Sequence, residues 1–478
     1  MSTRPLSCAT FVAGEFRTGG AVLERHNPAT GELVATAPVA DAGTVEEAVR
    51  AATEAFGSWS RTSGFERGRL LRELGRVALT RLEDLATAMT LEQGKPLDEA
   101  RGEVRKFAQA MRYYGEEAER VEGRTVPNES DDFLSVVVHE PVGPVAAITP
   151  WNYPVELVGW KLGGALGAGC TIVVKPSEYT PGPAHLLAEC VQEAGFPPGV
   201  VNVVHGDGEV GAALAGHPDV AKVAFTGSAT TGAALFRTVH GVTPLTMELG
   251  GSCPMIVSRH ADLDLAVAGA ARRSFRNAGQ ICIAINRIYV EEPVYEEFLA
   301  GLAAATTALR VGDGYADPTV DVGPVTMAEI RDRTHRHVAD ALDRGGVLVA
   351  GEAEADTGGL FVTPAVVAGA PASSLLMSEE TFGPAVGVAP FTSMDEAVKH
   401  ANAVPGGLAA YLFTERLAET VDVARSLDFG NVGVNTVDAG IINAPYGGRR
   451  ESGFGLEHGP EGLHGYLQLK HVRVRHRH

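Results

Sequence analysis

Short runs rich in β-branched residues alternate with helix-length segments through most of this chain. The first series of such runs lies at 145–148, 171–174, 200–204 and 222–225. The segment from Pro183 to Ala194 has the length of a crossover helix, so this series is typical of βαβ units and predicts a parallel sheet. A second series lies at 254–257, 287–290 and 385–389. Because Gly250 and Gly251 separate the two series, we predict a domain boundary there.

The segments toward both ends of the chain have other patterns. Apolar residues recur at helical spacing between Thr44 and Phe56, and a capping box formed by Thr44 and Glu47 predicts where this helix begins. The valine-rich stretch from Phe133 to Glu140 is typical of a strand that leaves the first domain. The basic tail from Lys470 to His478 predicts an edge strand with solvated charges.

Length, charge and cysteine spacing exclude several classes of protein. With 478 residues, 45% of them hydrophobic, the chain is too long for one core and predicts two or three packed domains. A net charge of -19 argues against nucleic acid or an anionic membrane as the main partner. No uninterrupted apolar run reaches the roughly 18 residues that a membrane span needs. The five cysteines have neither CxxC nor Cys/His spacing, so we predict no disulfide framework and no metal site, and expect the reducing cytoplasm.

Cys282 is the candidate nucleophile. It follows Gly279 and Gln280 in a short polar loop between two apolar segments, where a thiol can be presented to a substrate. Asn277, three residues before Gln280, allows the loop to bond its own main chain. This loop alone leaves open the alternative that Cys282 is a small buried side chain that only packs.

Two further side chains are candidates for the same reaction. Asn152 follows the strand predicted at 145–148, where a side-chain amide either donates to an oxyanion or forms a turn. Glu248 lies between Met247 and Leu249, and these apolar neighbours would raise its carboxyl pKa and suit a general base. A partly exposed glutamate at a strand end is the alternative.

Three segments are candidates for binding a dinucleotide. A G-x-G-x-x-G pattern at 206–211 follows a predicted strand, but no acidic residue follows about 20 positions later to bind a ribose. Gly227 and Ser228 also follow a strand and precede a helix, where free backbone N–H groups hold a phosphate or an ordinary cap forms. Lys175 and Glu178, at the end of another strand, fit either a ribose site or a solvated ion pair.

Together these motifs resemble the aldehyde dehydrogenase superfamily. TPWNYP, KPSEYTP, FTGS, MELGG, FRNAGQIC, SEETFGP and APYGGRRESGFG occur in the order typical of that family and span nearly the whole chain. The separation of 34 residues between Glu248 and Cys282 is also similar to the family's. Within the family, FRNAGQIC, GLAAYLF and the ending GLHGYLQLKHV look most like succinate-semialdehyde and lactaldehyde dehydrogenases.

The resemblance implies an α/β fold with two doubly wound parallel-sheet domains, a Rossmann-like cofactor domain and a catalytic domain, plus a small β oligomerisation flap. The cofactor domain would comprise residues 1–122 and 141–251, the catalytic domain residues 252–444, and the flap residues 123–140 and 445–478. In such a flap the strand at 133–140 joins the C-terminal strand. Flaps of this kind make homodimers, often paired into homotetramers.

The resemblance also implies a mechanism. Cys282, as a thiolate, would attack the aldehyde carbon, and the Asn152 amide and the Cys282 backbone N–H would hold the oxyanion. After hydride transfer to the cofactor, Glu248 would activate the water that hydrolyses the thioester, so the product is a carboxylic acid.

By the same resemblance, ten residues contact the cofactor, which is NAD, with NADP as the alternative. They are Trp151, Lys175, Ser177, Glu178, Gly208, Gly227, Ser228, Leu249, Glu380 and Phe382. Lys175 and Glu178 would lie at the adenosine ribose and Glu380 at the nicotinamide ribose. Gly227 and Ser228 would lie near the pyrophosphate. Glu178 would repel a 2′-phosphate, which favours NAD.

Four residues are predicted to contact the substrate, a small anionic or polar aldehyde. Arg276 matches an arginine that binds the substrate carboxylate in succinate-semialdehyde dehydrogenases, although a surface ion pair is the alternative. The second arginine of that group is replaced here by Trp160. Arg112 and Arg449 are candidates to restore positive charge at the entrance for a differently shaped acid, such as a phosphonate aldehyde.

The sequence leaves two other functions open. A coenzyme A-acylating semialdehyde dehydrogenase would pass the thioester to a thiol and would not need Glu248 as a base. A catalytically silent binding homologue would not need the complete set of Cys282, Glu248 and Asn152. A cysteine hydrolase is disfavoured because no histidine lies in a matching motif.

Overall fold

The computed structural model describes residues 4–352 and 359–476. The elements before residue 142 are β1 (Leu6–Ser7), β2 (Thr10–Val12), β3 (Glu15–Arg17), β4 (Val22–His26), β5 (Leu33–Pro38), α1 (Ala42–Trp59), α2 (Gly64–Thr80), α3 (Leu82–Gln93), α4 (Leu97–Glu117), β6 (Arg124–Val126) and β7 (Phe133–Pro141). The next are β8 (Val145–Ile148), α5 (Glu156–Ala168), β9 (Ile172–Lys175), α6 (Pro181–Glu193), β10 (Val201–Val203), α7 (Gly208–Ala215), β11 (Lys222–Gly227), α8 (Ala229–Thr238) and β12 (Leu245–Leu249).

The rest of the chain contains β13 (Cys253–Val257), α9 (Leu263–Phe275), β14 (Ile285–Glu291), α10 (Tyr295–Thr307), α11 (Ala328–Asp343), β15 (Val347–Ala350), β16 (Ala365–Ala368), α12 (Leu375–Ser378), β17 (Ala385–Phe391), α13 (Met394–Ala401), β18 (Gly406–Gly407), β19 (Ala409–Phe413), α14 (Leu417–Ser426), β20 (Asn431–Val434), β21 (Arg449–Arg450), β22 (Gly453–Phe454), α15 (Gly459–His464) and β23 (Leu467–Arg475). Short 3-10 helices span Ala118–Arg120, Arg276–Gly279 and Glu292–Val294. The strands and the crossover helix predicted between residues 145 and 389 are all present, with ends that shift by at most two residues.

The first large sheet has eight strands in the order β22-β12-β11-β8-β9-β10-β2-β3, and β12 through β10 are parallel. Successive residues of β8 enter different cores, because side chains alternate between the two faces of a strand. Val145 and Ala147 pack with α2, α4, α5 and α6, whereas Ala146 and Ile148 pack with α1, α7 and α8. Helices therefore cover both faces, which is the doubly wound arrangement.

The second large sheet has seven strands in the order β15-β16-β17-β14-β13-β19-β20, and only its edge strand β15 is antiparallel to its neighbour. Its faces are also buried on both sides: Met255 packs with α9 and α10, and Ile256 packs with α11, α13 and α14. The chain passes from the first sheet to the second between Leu249 and Cys253, across the predicted glycine pair.

A small three-stranded sheet, in the order β23-β7-β6, joins two distant segments of the chain. β7 and β23 pair antiparallel from Phe133 opposite Arg475 to Pro141 opposite Leu467, as the sequence predicts for these two strands. β22, which precedes β23 in the chain, does not belong to this small sheet, because it pairs with β12 of the first large sheet. Gly453 permits that contact: a Cβ there would lie 1.9 Å from the Met247 carbonyl oxygen. The domain limits at residues 122, 140, 251 and 444 stay a prediction.

Helix α1 begins earlier than its capping box predicts. The N-cap is Asp41, whose carboxylate accepts a hydrogen bond from the Thr44 backbone N–H at 2.7 Å. Thr44 therefore lies inside the first turn, since aspartate is a strong N-cap in its own right. Within the described residues, no helix combines the length and the apolar character that crossing a membrane requires.

Candidate active site

A cavity of about 490 Å³ is lined by residues of both large sheets and their loops. Its walls include residues at the carboxyl ends of β8, β9, β11 and β12, namely Ile148, Lys175, Gly227 and Leu249. Parallel α/β sheets bind ligands at this edge, and the volume lies within the range of small-molecule sites.

All thirteen residues predicted for catalysis and cofactor binding, together with Trp160, line this cavity. They are Trp151, Asn152, Trp160, Lys175, Ser177, Glu178, Gly208, Gly227, Ser228, Glu248, Leu249, Cys282, Glu380 and Phe382. Residues that are far apart in sequence thus converge on one space, which is what a site for a reaction between two ligands requires.

The catalytic loop, residues 276–282, turns through left-handed backbone before it reaches Cys282. Asn277 and Ala278 have φ values of 51° and 52°, and Gly279 has a φ of 72°. A Cβ on Gly279 would lie 2.2 Å from the Gly383 carbonyl oxygen, so only glycine fits there. This tight turn leads the chain out of α9 and presents Cys282 to the cavity.

The Cys282 thiol is half-buried, and its Sγ lies 3.7 Å from the Tyr446 hydroxyl. Burial raises the pKa of Cys282 to about 12, while the Tyr446 hydroxyl acts to lower it. The backbone N–H of Cys282 makes no hydrogen bond within the described residues and is free to donate. The free protein therefore holds a protonated thiol that needs a proton acceptor before it can attack.

Asn152 is buried four residues beyond the end of β8 and is held by the catalytic loop. Its side-chain amide donates one hydrogen to the Gln280 backbone carbonyl at 3.0 Å, and the Asn152 backbone carbonyl accepts from the Asn277 side-chain amide at 3.1 Å. The amide has a second N–H, which is available for a ligand.

Glu248, on β12, is only 4% exposed, as its apolar neighbours predict. Neither carboxylate oxygen has a hydrogen-bond partner in the part of the chain that the structure describes. Burial is the main cause that raises the pKa of Glu248 well above its ordinary value. The Glu457 carboxylate raises this pKa further, whereas Lys161 acts to lower it. Lys161 is paired with Glu457 at 2.6 Å. A buried carboxyl with free oxygens and a raised pKa suits a general base.

A second group of cavity residues fits a dinucleotide. The Lys175 ammonium lies 3.5 Å from the Glu178 carboxylate, and burial lowers the pKa of Lys175. A Cβ on Gly208 would meet no described atom within 4 Å, so the backbone at the start of α7 faces open space. Ser228 caps α8 by accepting from the Thr231 backbone N–H at 3.1 Å, so the capping role left open by the sequence is present at a residue that also faces the cavity.

Glu380 and Phe382 bring the second sheet to the same cavity. A Glu380 carboxylate oxygen accepts from the Gly251 backbone N–H at 3.2 Å, and a Cβ on Gly250 would lie 2.4 Å from its other oxygen. Burial raises the pKa of Glu380 to about 7. Phe382, in left-handed backbone at a φ of 53°, packs edge-on against Trp151 with ring centroids 5.5 Å apart.

A nucleophilic thiol, an amide donor, a buried carboxyl and a dinucleotide-sized space meet in one site, and a model of the aldehyde dehydrogenase family matches residues 16–472. The chain belongs to the aldehyde dehydrogenase family. It is an NAD(P)-dependent enzyme of the non-acylating type, as the sequence predicts, and it oxidises an aldehyde.

Known aldehyde dehydrogenases are similar over nearly the whole chain. A 3-sulfolactaldehyde dehydrogenase from Pseudomonas putida is 42% identical over 448 residues, which are 93% of this chain and 92% of the relative. An NADP(+) succinate-semialdehyde dehydrogenase from Escherichia coli (strain K12) is 39% identical over 460 residues, 95% of each chain. The crystal structure of an NAD-dependent aldehyde dehydrogenase from Sinorhizobium meliloti superposes with a TM-score of 0.95 at 37% identity, covering 98% of this chain and 95% of that one.

Two predicted substrate residues of this aldehyde dehydrogenase do not reach the cavity. Arg112 points into solvent, with 77% of its side chain exposed, and pairs with Glu116 one helical turn away at 3.1 Å. Arg449 is 56% exposed and pairs with Asp428 at 3.4 Å. The prediction for these two arginines was wrong for this structure, because each is held on the surface by a local acidic partner.

Arg276 occupies an intermediate position. Its side chain is 23% exposed and its Nε lies 3.5 Å from the Glu99 carboxylate, outside the set of residues that line the cavity. Trp160, at the position of the missing arginine, does line the cavity and packs edge-on against Tyr446 and His458, with ring centroids 5.5 Å and 4.2 Å away.

Several residues of this aldehyde dehydrogenase site were not singled out from the sequence. Tyr446 lies within the APYGGRRESGFG motif, so the motif itself was the available signal. Arg333 lines the cavity near Glu380, and no motif marks it. Lys161 and Glu457 are buried and paired although they are far apart in sequence, and that separation hid them.

Proposed function

We propose that this aldehyde dehydrogenase oxidises a small anionic aldehyde, with NAD preferred over NADP, through a thioester on Cys282. The observation that carries the proposal is the meeting of the Cys282 thiol, the Asn152 amide and the Glu248 carboxyl, which has no hydrogen-bond partner among the described residues, in one cavity. In the first step Cys282 gives up its proton and its sulfur bonds to the aldehyde carbon. This proton passes to water, which reaches the half-buried thiol, and Glu248, whose pKa is raised, remains the base for the later hydrolysis of the thioester.

The oxyanion that forms on the former carbonyl oxygen needs hydrogen-bond donors. The second N–H of the Asn152 amide and the free backbone N–H of Cys282 are the two donors that we assign. Fixed donors of this kind act only on the developing charge, so they lower the barrier without tightening the binding of the aldehyde itself.

The cofactor, when bound, supplies the hydride acceptor. Lys175, Ser177 and Glu178 would hold its adenosine ribose, and Gly208, at the open start of α7, would lie near the adenine. Gly227 and Ser228 would hold its pyrophosphate. Glu380 would hold the nicotinamide ribose, with Trp151, Leu249 and Phe382 packing around it. The charged Lys175–Glu178 pair and the open backbone at Gly208 support this orientation.

Loss of hydride leaves a thioester that water must hydrolyse. Glu248 takes a proton from this water, whose oxygen bonds to the acyl carbon as the carbon–sulfur bond breaks. The product is a carboxylic acid and the Cys282 thiol is restored. An acylating enzyme would use coenzyme A here instead, and a thiol does not require this base.

Replacing Cys282 by alanine tests the chemical proposal. Cys282→Ala should abolish the aldehyde-dependent absorbance of reduced cofactor while NAD still binds, as measured by calorimetry. Wild-type activity in this variant would overturn the mechanism and favour a catalytically silent role for Cys282. Adding coenzyme A to the wild-type enzyme should neither raise the rate nor yield an acyl-coenzyme A product.

The preference for NAD rests on Glu178. Its carboxylate is directed to the same part of the cavity as Lys175, and a 2′-phosphate on the ribose would meet this negative charge. Glu178→Gln should therefore raise kcat/KM for NADP relative to NAD by roughly tenfold, the scale of one charge–charge contact near a surface. An unchanged ratio would remove Glu178 as the discriminating residue.

The anionic substrate is supported by the relatives and by charge. The relatives from Pseudomonas putida and Escherichia coli are a 3-sulfolactaldehyde dehydrogenase and a succinate-semialdehyde dehydrogenase, and these aldehydes carry a sulfonate and a carboxylate. Beside the catalytic loop lies a cluster of four basic and three acidic side chains: Lys106, Arg272, Arg273 and Arg276 with Glu99, Glu156 and Asp438. The four basic side chains outnumber the three acidic ones, which favours an anion near this cluster.

Two matched arginine variants test the substrate class. Arg276→Met removes one positive charge from the cluster beside the cavity and should raise KM for succinate semialdehyde roughly tenfold, while leaving KM for butanal unaffected. Arg112→Met is the control, because this arginine lies in solvent away from the cavity, and both KM values should stay unchanged. Better turnover of butanal than of any anionic aldehyde would overturn the proposal.

We also propose that the enzyme is a cytoplasmic homodimer or homotetramer. Apolar side chains are exposed on β7 and β23, with Leu134 at 47%, Leu469 at 62% and Val474 at 47%, which supports a partner at this sheet. All five cysteines are free thiols, in keeping with a reducing compartment. Light scattering after gel filtration measures the assembly, and a monomer would contradict it.

A further inference from the structure

Lys95 and Glu103 form an ion pair that is completely shielded from water. The Lys95 Nζ lies 2.5 Å from the Glu103 Oε2, and both side chains are 0% exposed. Removing two charges from water is unfavourable, and their mutual attraction often fails to offset it. Stability alone therefore gives a poor account of this pair, and its other contacts indicate what it does.

Both members of the pair bond to the main chain around Asn152. The Lys95 ammonium donates to the Asn152 carbonyl at 2.6 Å and lies over the Tyr153 ring, 4.0 Å from its centroid. The other Glu103 oxygen accepts from the backbone N–H groups of Val155 and Glu156 at 2.8 Å and 3.1 Å.

Glu103 thus replaces a missing helix cap. Helix α5 begins at Glu156 and has no side-chain cap from its own N-cap residue, Val155. The first N–H groups of a helix lack partners within the helix and carry partial positive charge, so a carboxylate is well matched to them. The pair consequently fixes Asn152 from one side and the start of α5 from the other.

The segment that carries Lys95 also reaches the catalytic loop. The Gln93 side chain donates to the Asn277 side-chain oxygen at 2.9 Å, and its own oxygen accepts from the Lys95 backbone N–H at 2.9 Å. Asn277 in turn donates to the Asn152 carbonyl at 3.1 Å. One short connection between α3 and α4 therefore sets the positions of both the amide donor and the loop of the nucleophile.

We propose that the Lys95–Glu103 pair is a positioning device that holds the Asn152 amide at the oxyanion. Neither residue lines the cavity, so both act through Asn152 and not on the substrate. The inference rests on the proposed role of Asn152 as an oxyanion donor. Reactions of this kind lose about 100-fold when a group is displaced by about 1 Å, so a clamp on the main chain of the donor has a measurable effect.

The double variant Lys95→Met/Glu103→Gln removes both charges together, so that neither is left buried without its partner. Glutamine still offers an oxygen to the Val155 and Glu156 N–H groups, while the link to the Asn152 carbonyl is lost. We expect the rate of reduced-cofactor formation in the first turnover to fall roughly 10- to 100-fold, because an oxyanion donor contributes about 100- to 1,000-fold and would be displaced but not removed.

Two readouts separate positioning from general damage. The NAD dissociation constant and the rate of Cys282 alkylation by iodoacetamide should each stay within about twofold of wild type, since neither needs the oxyanion donors. Equal losses in all three measurements would show a merely structural role and overturn the proposal. An unchanged first-turnover rate would overturn it as well.

The Asn152→Ala background gives the decisive comparison. If the pair acts through Asn152, adding the double variant to Asn152→Ala should change the first-turnover rate by less than about twofold. A further loss as large as in the wild-type background would overturn the positioning role alone. A wild-type rate in Asn152→Ala itself would instead remove the oxyanion role of Asn152, and the positioning role with it.

Glu103→Asp is a milder variant that keeps both charges. It draws the carboxylate back by one methylene and should lower the first-turnover rate about three- to tenfold, again without effect in the Asn152→Ala background. It provides the same comparison should the double variant not fold, and additive losses would overturn the proposal in the same way.

Discussion

Replacing Glu248 by glutamine separates the two halves of the reaction. The change keeps the size and shape of the side chain but removes its ability to accept a proton. If Glu248 mainly activates the hydrolytic water, each active site should form its thioester and release one equivalent of reduced cofactor, and should then turn over slowly. The expected signature of Glu248→Gln is therefore a burst followed by a slow steady state.

The structure indicates how large the loss should be. General-base catalysis contributes about 100- to 10,000-fold, or roughly 2.7–5.4 kcal/mol. Both Glu248 oxygens lack partners within the described residues, and the side chain is only 4% exposed. Glu457, the other carboxylate that acts on its pKa, is already paired with Lys161 at 2.6 Å and is poorly suited to replace it. We therefore expect a loss in steady-state kcat in the upper part of that range, about 1,000- to 10,000-fold.

Stopped-flow absorbance of the reduced cofactor measures the burst, and mass spectrometry detects the acyl group on Cys282. Glu178→Gln is the matched control, because it makes the same carboxyl-to-amide change at a cavity residue assigned to cofactor binding. That control should alter the KM for NAD without producing a burst. If the first turnover of Glu248→Gln is slowed as much as its steady state, the time course is linear and no acyl-enzyme accumulates. That result would refute a role limited to the water and would place Glu248 in the deprotonation of Cys282.

The pH dependence follows from the raised pKa of Glu248. As a base it works only when ionised, so kcat of the wild type should rise with pH through this pKa, and Glu248→Gln should lose that limb. The stability change has the opposite direction. A carboxyl with a raised pKa in the folded state binds more protons there than in the unfolded chain, so its contribution is complete at low pH and is lost as pH rises through the folded pKa. Thermal unfolding of Glu248→Gln should therefore vary less with pH than that of the wild type.

Two further predictions concern the catalytic loop. Gly279→Ala should destabilise the protein strongly, by about 3 kcal/mol or more in thermal or denaturant unfolding, because its Cβ would lie 2.2 Å from the Gly383 carbonyl oxygen and its φ is 72°. Gly345→Ala, also at positive φ but with no described atom within 4 Å of its Cβ, should lose only about 1 kcal/mol, and equal losses would contradict the steric account. Tyr446→Phe should slow alkylation of Cys282 by iodoacetamide several-fold at pH 8, because the hydroxyl 3.7 Å from Sγ acts to lower the thiol pKa. An alkylation rate equal to that of wild type would show that this hydroxyl does not stabilise the thiolate.

Local patterns in the sequence carried the fold class and most of the cavity. Strands such as β8 and β11 are short apolar runs whose neighbours in sequence are helices, and this alternation is a property of adjacent residues. Glu248 lies at the carboxyl end of β12 and Asn152 lies shortly after β8, where α/β sheets expose side chains to a ligand, whereas Cys282 lies in the polar loop before β14. The identity of the chemistry, however, came from the order of whole motifs and from their resemblance to a family.

Local patterns failed where a side chain had a choice of partner. Arg112 and Arg449 are basic residues that the sequence suggested for the entrance of the site, yet each pairs with an acidic residue on the surface. Thr44 and Glu47 form a plausible capping box, but Asp41 three residues earlier takes the cap. In each case the sequence contained both options, and the free-energy difference between them depends on exposure that local sequence does not specify.

Only the tertiary structure brought together the groups that tune the site. Tyr446 approaches Cys282 across 164 residues, and Lys161 pairs with Glu457 across 296. Lys95 contacts Asn152, 57 residues away, through the Asn152 backbone carbonyl. Every residue has this group, so no sequence motif can indicate the contact. The sequence by itself determined which residues can react and on which elements they lie, because residue type and hydrophobic periodicity are local. The structure decided the protonation, orientation and support of those residues, because burial and hydrogen bonding depend on chain segments that meet only in the folded protein.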